Sequence, residues 1–317
     1  MQDYPKTLMD MEKRFTTQEE CVEYLERIRW PDGFTCPNCQ GKTAWRVRKF
    51  SWECASCHRQ TNVTAGTLFE DSHMPLPVWF RAIWWVVAQK NGASALGLQR
   101  ALGLSHYKTA WTWLHKIRRA MVAPGRSLLT GKIEVDETFI GGVEEGVTGR
   151  QTDKKALVII AAQADGDHNK IGCIRMKHIP DAGERTLRAF ITAAIEPGSV
   201  VITDGWPRYN KESLAGYTHE VRMIKGPGKQ AHELLPRVHL VASLLKRWLL
   251  GTHQGAVSAE HMQSYLDEFV FRFNRRSSKH RGLLFERLLE NAMRIAPTPY
   301  RKIIKGVRKH PEHPNRR

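Results

Sequence analysis

Four cysteines fall in two close pairs, Cys36 with Cys39 in "CPNC" and Cys54 with Cys57 in "CASC", with 14 residues between the pairs. A CxxC step folds as a tight knuckle, and two knuckles meet to close a tetrahedral four-thiolate zinc site. Such a site leaves no open coordination position, so its expected role is structural. Cys21 and Cys173 lack partners at ligand spacing and read as core residues. A second chemistry is offered by Asp136 in "KIEVDETFIGG" and Asp204 in "GSVVITDGWPRY". Two carboxylates side by side repel each other and are stable when they share cations. Hard oxygen ligands with open positions suit Mg²⁺ or Mn²⁺. Two such ions can activate a water or a 3′-hydroxyl and stabilise the leaving oxygen at phosphorus. The pair therefore points to phosphoryl transfer on DNA, provided that the fold brings the two aspartates together. Either one alone is also an ordinary strand-end residue. Glu134 shares a strand face with Asp136 and is a reserve acid, whereas Glu137 faces the other way.

The elements that must bring the aspartates together can be read from the pattern. Strands are expected at "KIEVDETFIGG", "KKALVIIAAQA" and "NKIGCIRMKHI", the last two around the turn "DGDHN". "AGERTLRAFITAAI" is an amphipathic helix. The next strand ends at Asp204, where Gly205 turns the chain, and "HEVRMIKGPGKQ" supplies a possible further strand. A helix starting near Arg237 carries Val238, Val241, Ala242, Leu245, Trp248 and Leu249 as one apolar stripe. The order β-β-β-α-β-(β)-α fits an α/β, ribonuclease-H-like catalytic domain over residues 130–280, a mixed sheet flanked by helices. Its first and fourth strands are neighbours, which sets Asp136 beside Asp204. On the last helix His239 and Lys246 lie seven residues apart, about 20° around the axis, along one edge of the stripe.

Residues 1–70 read as an N-terminal helix plus a zinc ribbon. Thr17 and Glu20 form a capping box at the helix start, "PDGF" stops the helix, and "TAWRVRKFSWEC" alternates as a strand pair does. Residues 75–125 read as helices. "SALGLQRALGL" and "SHYKTAWTWLHKIRRAM" join at Gly103-Leu104, with Ser105 as N-cap, in a helix-turn-helix pattern; an ordinary helical hairpin is the plain alternative. The second helix is expected to present His106, Lys108, Thr109, Thr112, His115 and Lys116 to DNA. The chain has 49 Lys and Arg against 32 Asp and Glu, a net charge of +17 over 317 residues. That balance favours a polyanionic partner, here double-stranded DNA. Residues 272–317 alone hold 14 Lys and Arg against Glu286, Glu290 and Glu312, and 281–317 is expected to be a basic C-terminal tail. No membrane partner is expected, because the best apolar run, "WFRAIWWVVA", is short and carries Arg81. "MQDYPKTLMDMEKRF" has no signal-peptide core, so the expected location is a reducing cytoplasm.

The segments "VDETFIGG", "TDGW", "PRVHLVASLLKRWLLGTH" and "FRFNRR" together resemble the transposases of bacterial insertion sequences, in the zinc-ribbon group of the ISXO-two type within the DDE-type superfamily. The resemblance runs from about Phe15 through "FNRR". It implies a ribonuclease-H-like domain with an Asp, Asp, Glu triad, the third acid lying on a helix seven residues before a Lys or Arg. Asp136 matches the first position, Asp204 the second and Lys246 the basic one. His239 stands where most such enzymes place Glu, giving an Asp–Asp–His set. Imidazole is a softer ligand than carboxylate and brings no negative charge; Glu233 and Glu134 are the alternative third acids. The implied function is binding of element ends, then metal-dependent strand cleavage and strand transfer by a homo-oligomer on end and target DNA, in the bacterial cytoplasm at the nucleoid. Asp136, Asp204 and His239 would hold Mg²⁺ or Mn²⁺, and Lys246 would contact phosphate near the scissile bond. Two rival readings are a non-catalytic DNA-binding regulator and a ribonuclease-H-like structure-specific nuclease that cuts without joining.

Overall fold

The computed structural model describes residues 4–141, 155–166, 170–223, 234–255 and 257–304. The chain divides into two compact units. Residues up to Pro124 form the first together with Ser278–Ile304, and Gly125–Ser277 form the second.

The first unit opens with helices α1 (Leu8–Arg14) and α2 (Gln18–Arg29), each started by a capping box, Thr7 with Asp10 and Thr17 with Glu20. Strands β1 (Ala44–Arg48), β2 (Ser51–Cys54) and β3 (Gln60–Asn62) make a small antiparallel sheet in that order. Helices α3 (Leu76–Ala88), α4 (Ala95–Leu102) and α5 (Tyr107–Ala120) follow. Apolar residues surround α3 on nearly every side, so it is a buried helix, with Arg81 exposed. Trp79 of α3 stacks on Trp113 of α5 with ring centroids 3.7 Å apart.

The expectation of a basic tail from residue 281 is corrected over its first part. Arg281–Arg294 is helix α9, with Leu284, Phe285, Leu288, Leu289 and Ala292 buried. Phe285 meets Phe80 and Trp84 of α3 at 5.6 and 5.4 Å. The apolar spacing i, i+1, i+4, i+5 outweighs the density of Lys and Arg, which stay on the other side of the helix. A short helix α10 (Tyr300–Ile304) ends the unit; residues 305–317 lie outside the described residues. Burying one Leu or Phe contributes about 1.5–3 kcal/mol, and α9 brings four of them. A chain cut after Ser277 is therefore expected to lose cooperative unfolding of the first unit. Thermal unfolding and limited proteolysis of the truncated protein check this.

The second unit is built on a five-stranded mixed sheet in the order β6-β5-β4-β7-β8. Strands β4 (Lys132–Ile140), β5 (Ala156–Ala164) and β6 (Ile171–Ile179) form an antiparallel meander. Helix α6 (Glu184–Ala194) crosses over to β7 (Val200–Thr203), which lies parallel to β4, and β8 (Thr218–Val221) lies parallel to β7. Helices α7 (Pro236–His253) and α8 (Met262–Asn274) pack on one face, where Val158, Ile160 and Ala162 meet Val241, Leu245 and Leu266. On the other face Ile133, Val135 and Ile159 meet Leu187, Phe190 and Ile191 of α6. Both faces are covered, which is why β5 reads as an unbroken apolar run. This is the ribonuclease-H-like layout. Alternation along β4 sends Ile133 and Val135 to the α6 side, and so turns Glu134 and Asp136 towards α7.

Cys21 is buried, but Cys173 is exposed. Cys173 lies on β6, at the sheet edge, where the residue alternating with buried Ile174 finds no cover. Among the described residues no helix is long and apolar enough to cross a membrane.

Candidate zinc centre and active site

The two cysteine knuckles repeat one backbone pattern. Gln40 N–H donates to Cys36 O and Cys36 N–H to Gly41 O; His58 N–H donates to Cys54 O and Cys54 N–H to Arg59 O. Gln40 and His58 take positive φ, 63° and 53°, to close these turns. The four sulfurs lie within 4.8 Å of one another, with Cys36 and Cys57 at 3.7 Å and Cys39 and Cys54 at 3.5 Å. A zinc tetrahedron with bonds of about 2.3 Å separates its sulfurs by about 3.8 Å, so the cluster fits the ion. Backbone amides of Cys57 and Ser56 pull the Cys54 thiol down, to about 6, while at Cys39 the Gly41 amide is outweighed by the Cys57 and Cys54 thiols, which push its thiol up, to about 12, so that four thiolates this close together need a cation among them.

In the second unit β4 pairs with β7 through Lys132↔Val200, Ile133↔Val201 and Glu134↔Ile202. The ladder stops there, and β7 ends at Thr203; the same offset carried two residues further would put Asp136 level with Asp204. From the first turn of α7, His239 Nε2 comes within 3.8 Å of Asp136 Oδ2. Two donors about 2.1 Å from one ion can be no more than about 4.2 Å apart, so this pair fits a shared Mg²⁺ or Mn²⁺. Asp136, His239, Ser243 and Lys246 line a cleft of about 410 Å³, with Lys246 two turns along α7 from His239. Asp204 does not line it: the carboxylate is exposed and accepts a hydrogen bond from Trp206 N–H at 3.0 Å. Among the described residues the four cysteines are the only group of three or more ligand-type side chains close enough to hold an ion. The structure thus brings Asp136, His239 and Lys246 to one cleft, and leaves Asp204, one residue past the end of β7, outside its lining.

Sequence reasoning missed two features here. Tyr209 is buried and hydrogen-bonds Glu137 on the sheet face opposite Asp136. Burial, then the charge of Glu137, then those of Asp136 and Asp204, hold its phenol well above the ordinary value. Tyr209 is therefore a permanent donor behind the site. Glu134, the reserve acid, is not free for a metal, because both its oxygens are taken by Arg237 and Val238. Glu233 lies outside the described residues.

Gly205 follows Asp204 with φ +85°, and a Cβ there would sit 2.8 Å from Val221 Cγ1 and 3.1 Å from Met223 Cγ. Gly205→Ala is expected to destabilise the second unit by about 1–2 kcal/mol from the backbone alone. A lowered thermal midpoint is the check.

In the first unit α4 and α5 are joined through Gly103 in the left-handed conformation. His106, not Ser105, is the N-cap of α5, and its side chain makes no capping bond. Lys108 is exposed, its ammonium 4.0 Å from the centre of the Tyr300 ring. Thr109 and Thr112 are half-buried, and Thr112 Oγ1 donates to Lys108 O at 2.7 Å. Lys116 is half-buried, and burial lowers its ammonium pKa. His115, expected on the DNA side, is buried. Only the first turn, with His106, Tyr107 and Lys108, stands clear of the core.

A four-cysteine cluster precedes a ribonuclease-H-like sheet in the chain, the order in which two transposase family models match it. Residues 128–274 match the ISXO2-like transposase domain, and residues 16–60 match the transposase zinc-ribbon domain. Together these matches span more than half of the chain, and the chain belongs to the ISXO2-like transposases. An uncharacterized protein in transposable element ISH50 of Halobacterium salinarum is 27% identical over 288 residues, covering 82% of this chain and 92% of that protein. That relative is archaeal, so it lends no support to a bacterial source. A simian T-cell lymphotropic virus intasome in complex with PP2A regulatory subunit B56 gamma aligns with 59% of this chain and 70% of that chain, at 16% identity. Its TM-score of 0.33 is too low to carry an argument.

Proposed function

We propose that this transposase binds the ends of its element and catalyses metal-dependent strand cleavage and strand transfer, with Asp136, Asp204 and His239 as ligands of Mg²⁺ or Mn²⁺. The observation that carries this reading is the 3.8 Å approach of His239 Nε2 to Asp136 Oδ2, at the strand level of Asp204. The bound ions would supply the charge that activates the attacking oxygen and stabilises the leaving one. Asp136 and His239 already face each other, and Asp204 would add its Oδ2, the Trp206 amide being held on Oδ1. His239 ligates as the neutral imidazole. Lys246 contacts phosphate beside the scissile bond. We assign end recognition to the ribbon and the helix-turn-helix within residues 1–125, with Lys108 and Thr109 foremost and Thr112 and Lys116 behind them. Phosphoryl transfer is assigned to residues 130–280. An element has two ends, so a homo-oligomer on double-stranded DNA is the working form, acting in the cytoplasm at the nucleoid.

The test incubates full-length protein with labelled end DNA, plasmid target and Mn²⁺. Cut ends joined to the plasmid are expected. Binding without cutting supports a regulator, and cutting without joining supports a nuclease. Binding is also expected to weaken steeply with salt, by about 10³-fold or more between 50 and 200 mM if six or more phosphates are contacted; a flat response would remove the electrostatic role of the +17 charge.

A further inference from the structure

Two residues before Asp136, strand β4 carries a carboxylate that takes no part in the cleft. Glu134 is 1% exposed and grips α7 at three points. Its Oε2 accepts from the Arg237 amide at 2.7 Å and from the Val238 amide at 3.0 Å. Its Oε1 accepts from Arg237 Nη1 at 2.8 Å. Helix α7 has no cap of its own, since Leu235 at the N-cap makes no side-chain hydrogen bond and Pro236 follows. The first-turn amides of a helix need an outside acceptor, and negative charge is favoured there. Glu134 supplies both from a strand more than a hundred residues earlier. The Arg237 side chain is tied down a second time, its Nε donating to Lys170 O at 3.1 Å.

The grip lies next to both members of the Asp136–His239 pair. On the strand Asp136 is two residues on from Glu134, and on the helix His239 directly follows Val238. We propose that Glu134 is a positioning residue whose clamp on Arg237 and Val238 sets the separation of Asp136 and His239. The functional part of this proposal rests on the reading of that pair as ion ligands. A carboxylate is required because three donors converge on it. Glutamine in its place keeps the shape but turns an NH₂ donor towards another donor.

The test compares full-length wild type with E134Q, E134M/R237M and D136A. The double variant replaces a buried ion pair by apolar side chains, an exchange that folds commonly tolerate, while leaving the helix start uncapped. Amide hydrogen exchange is followed over the first turn of α7, Mn²⁺ affinity is measured by electron paramagnetic resonance, and thermal unfolding identifies the folded variants. In E134Q and E134M/R237M first-turn exchange should rise about tenfold or more, and Mn²⁺ affinity should fall about 10- to 100-fold, as on loss of groups that orient ligands. Wild-type exchange in the folded double variant overturns the clamp. Raised exchange with wild-type Mn²⁺ affinity overturns its positioning role. Should D136A bind Mn²⁺ as wild type does, the ion-site reading itself fails, and the positioning role fails with it.

Discussion

Asp136→Ala and Asp204→Ala are each expected to slow cleavage of end DNA by about a thousandfold or more, about 4 kcal/mol of barrier, while end binding stays within a few-fold of wild type. The two effects separate because the acids belong to the second unit and the exposed first turn of α5 to the first. His239→Ala should be nearly as severe, at about a hundredfold or more. His239→Glu restores the missing negative charge and is expected to keep activity and to shift it towards Mg²⁺. Wild type should prefer Mn²⁺ at low metal, since Mn²⁺ accepts nitrogen more readily. Cleavage of end DNA titrated with each metal checks all four variants. Near-wild-type cutting by Asp204→Ala would remove Asp204 from the ligand set; the same result for His239→Ala would make His239 a helix-edge residue.

The second large effect is expected at the cysteines. Cys36→Ser with Cys54→Ser should take zinc content from about one ion per chain to none, because it removes one thiolate from each knuckle. Structural zinc binding is worth about 10–16 kcal/mol in small zinc modules, more than the ribbon's short strands can supply. The first unit is therefore expected to lose the ribbon's protection against proteolysis, while the sheet of the second unit unfolds as before. Metal analysis combined with proteolysis checks this. Unchanged zinc content in the double variant would sink the four-thiolate assignment.

What could be read from residues alone was local or periodic. The Thr17–Glu20 box, the two CxxC knuckles and the stripe from Val238 to Leu249 are each set by neighbours in sequence, and each is present, while the strand expected to end at Asp204 stops one residue earlier, at Thr203. The features that escaped depend on partners far along the chain. Nothing near Glu134 announces Arg237, and nothing near Tyr209 announces Glu137. The residue types of helix α5 do not reveal its surroundings. Between α4, α9 and α10 it is enclosed on more than one side, so His115 and Arg118 are buried with Ala110, Leu114 and Ile117. Helix α9 was hidden by its charges, although Leu284, Phe285, Leu288 and Leu289 carry the core spacing.

The return of α9 to the first unit has a consequence for biosynthesis. The first unit begins before Pro124 but lacks a wall until Arg294 has been made. At about 5–20 residues per second, translation takes roughly 10–30 s to cover that interval. For that time Phe80 and Trp84 have no Phe285 to meet, while the intervening unit can already fold. A nascent chain can therefore acquire its five-stranded sheet before the core of its first unit is closed. Messages truncated after the second unit would yield chains that carry Asp136 and Asp204 but leave Phe80 and Trp84 without Phe285.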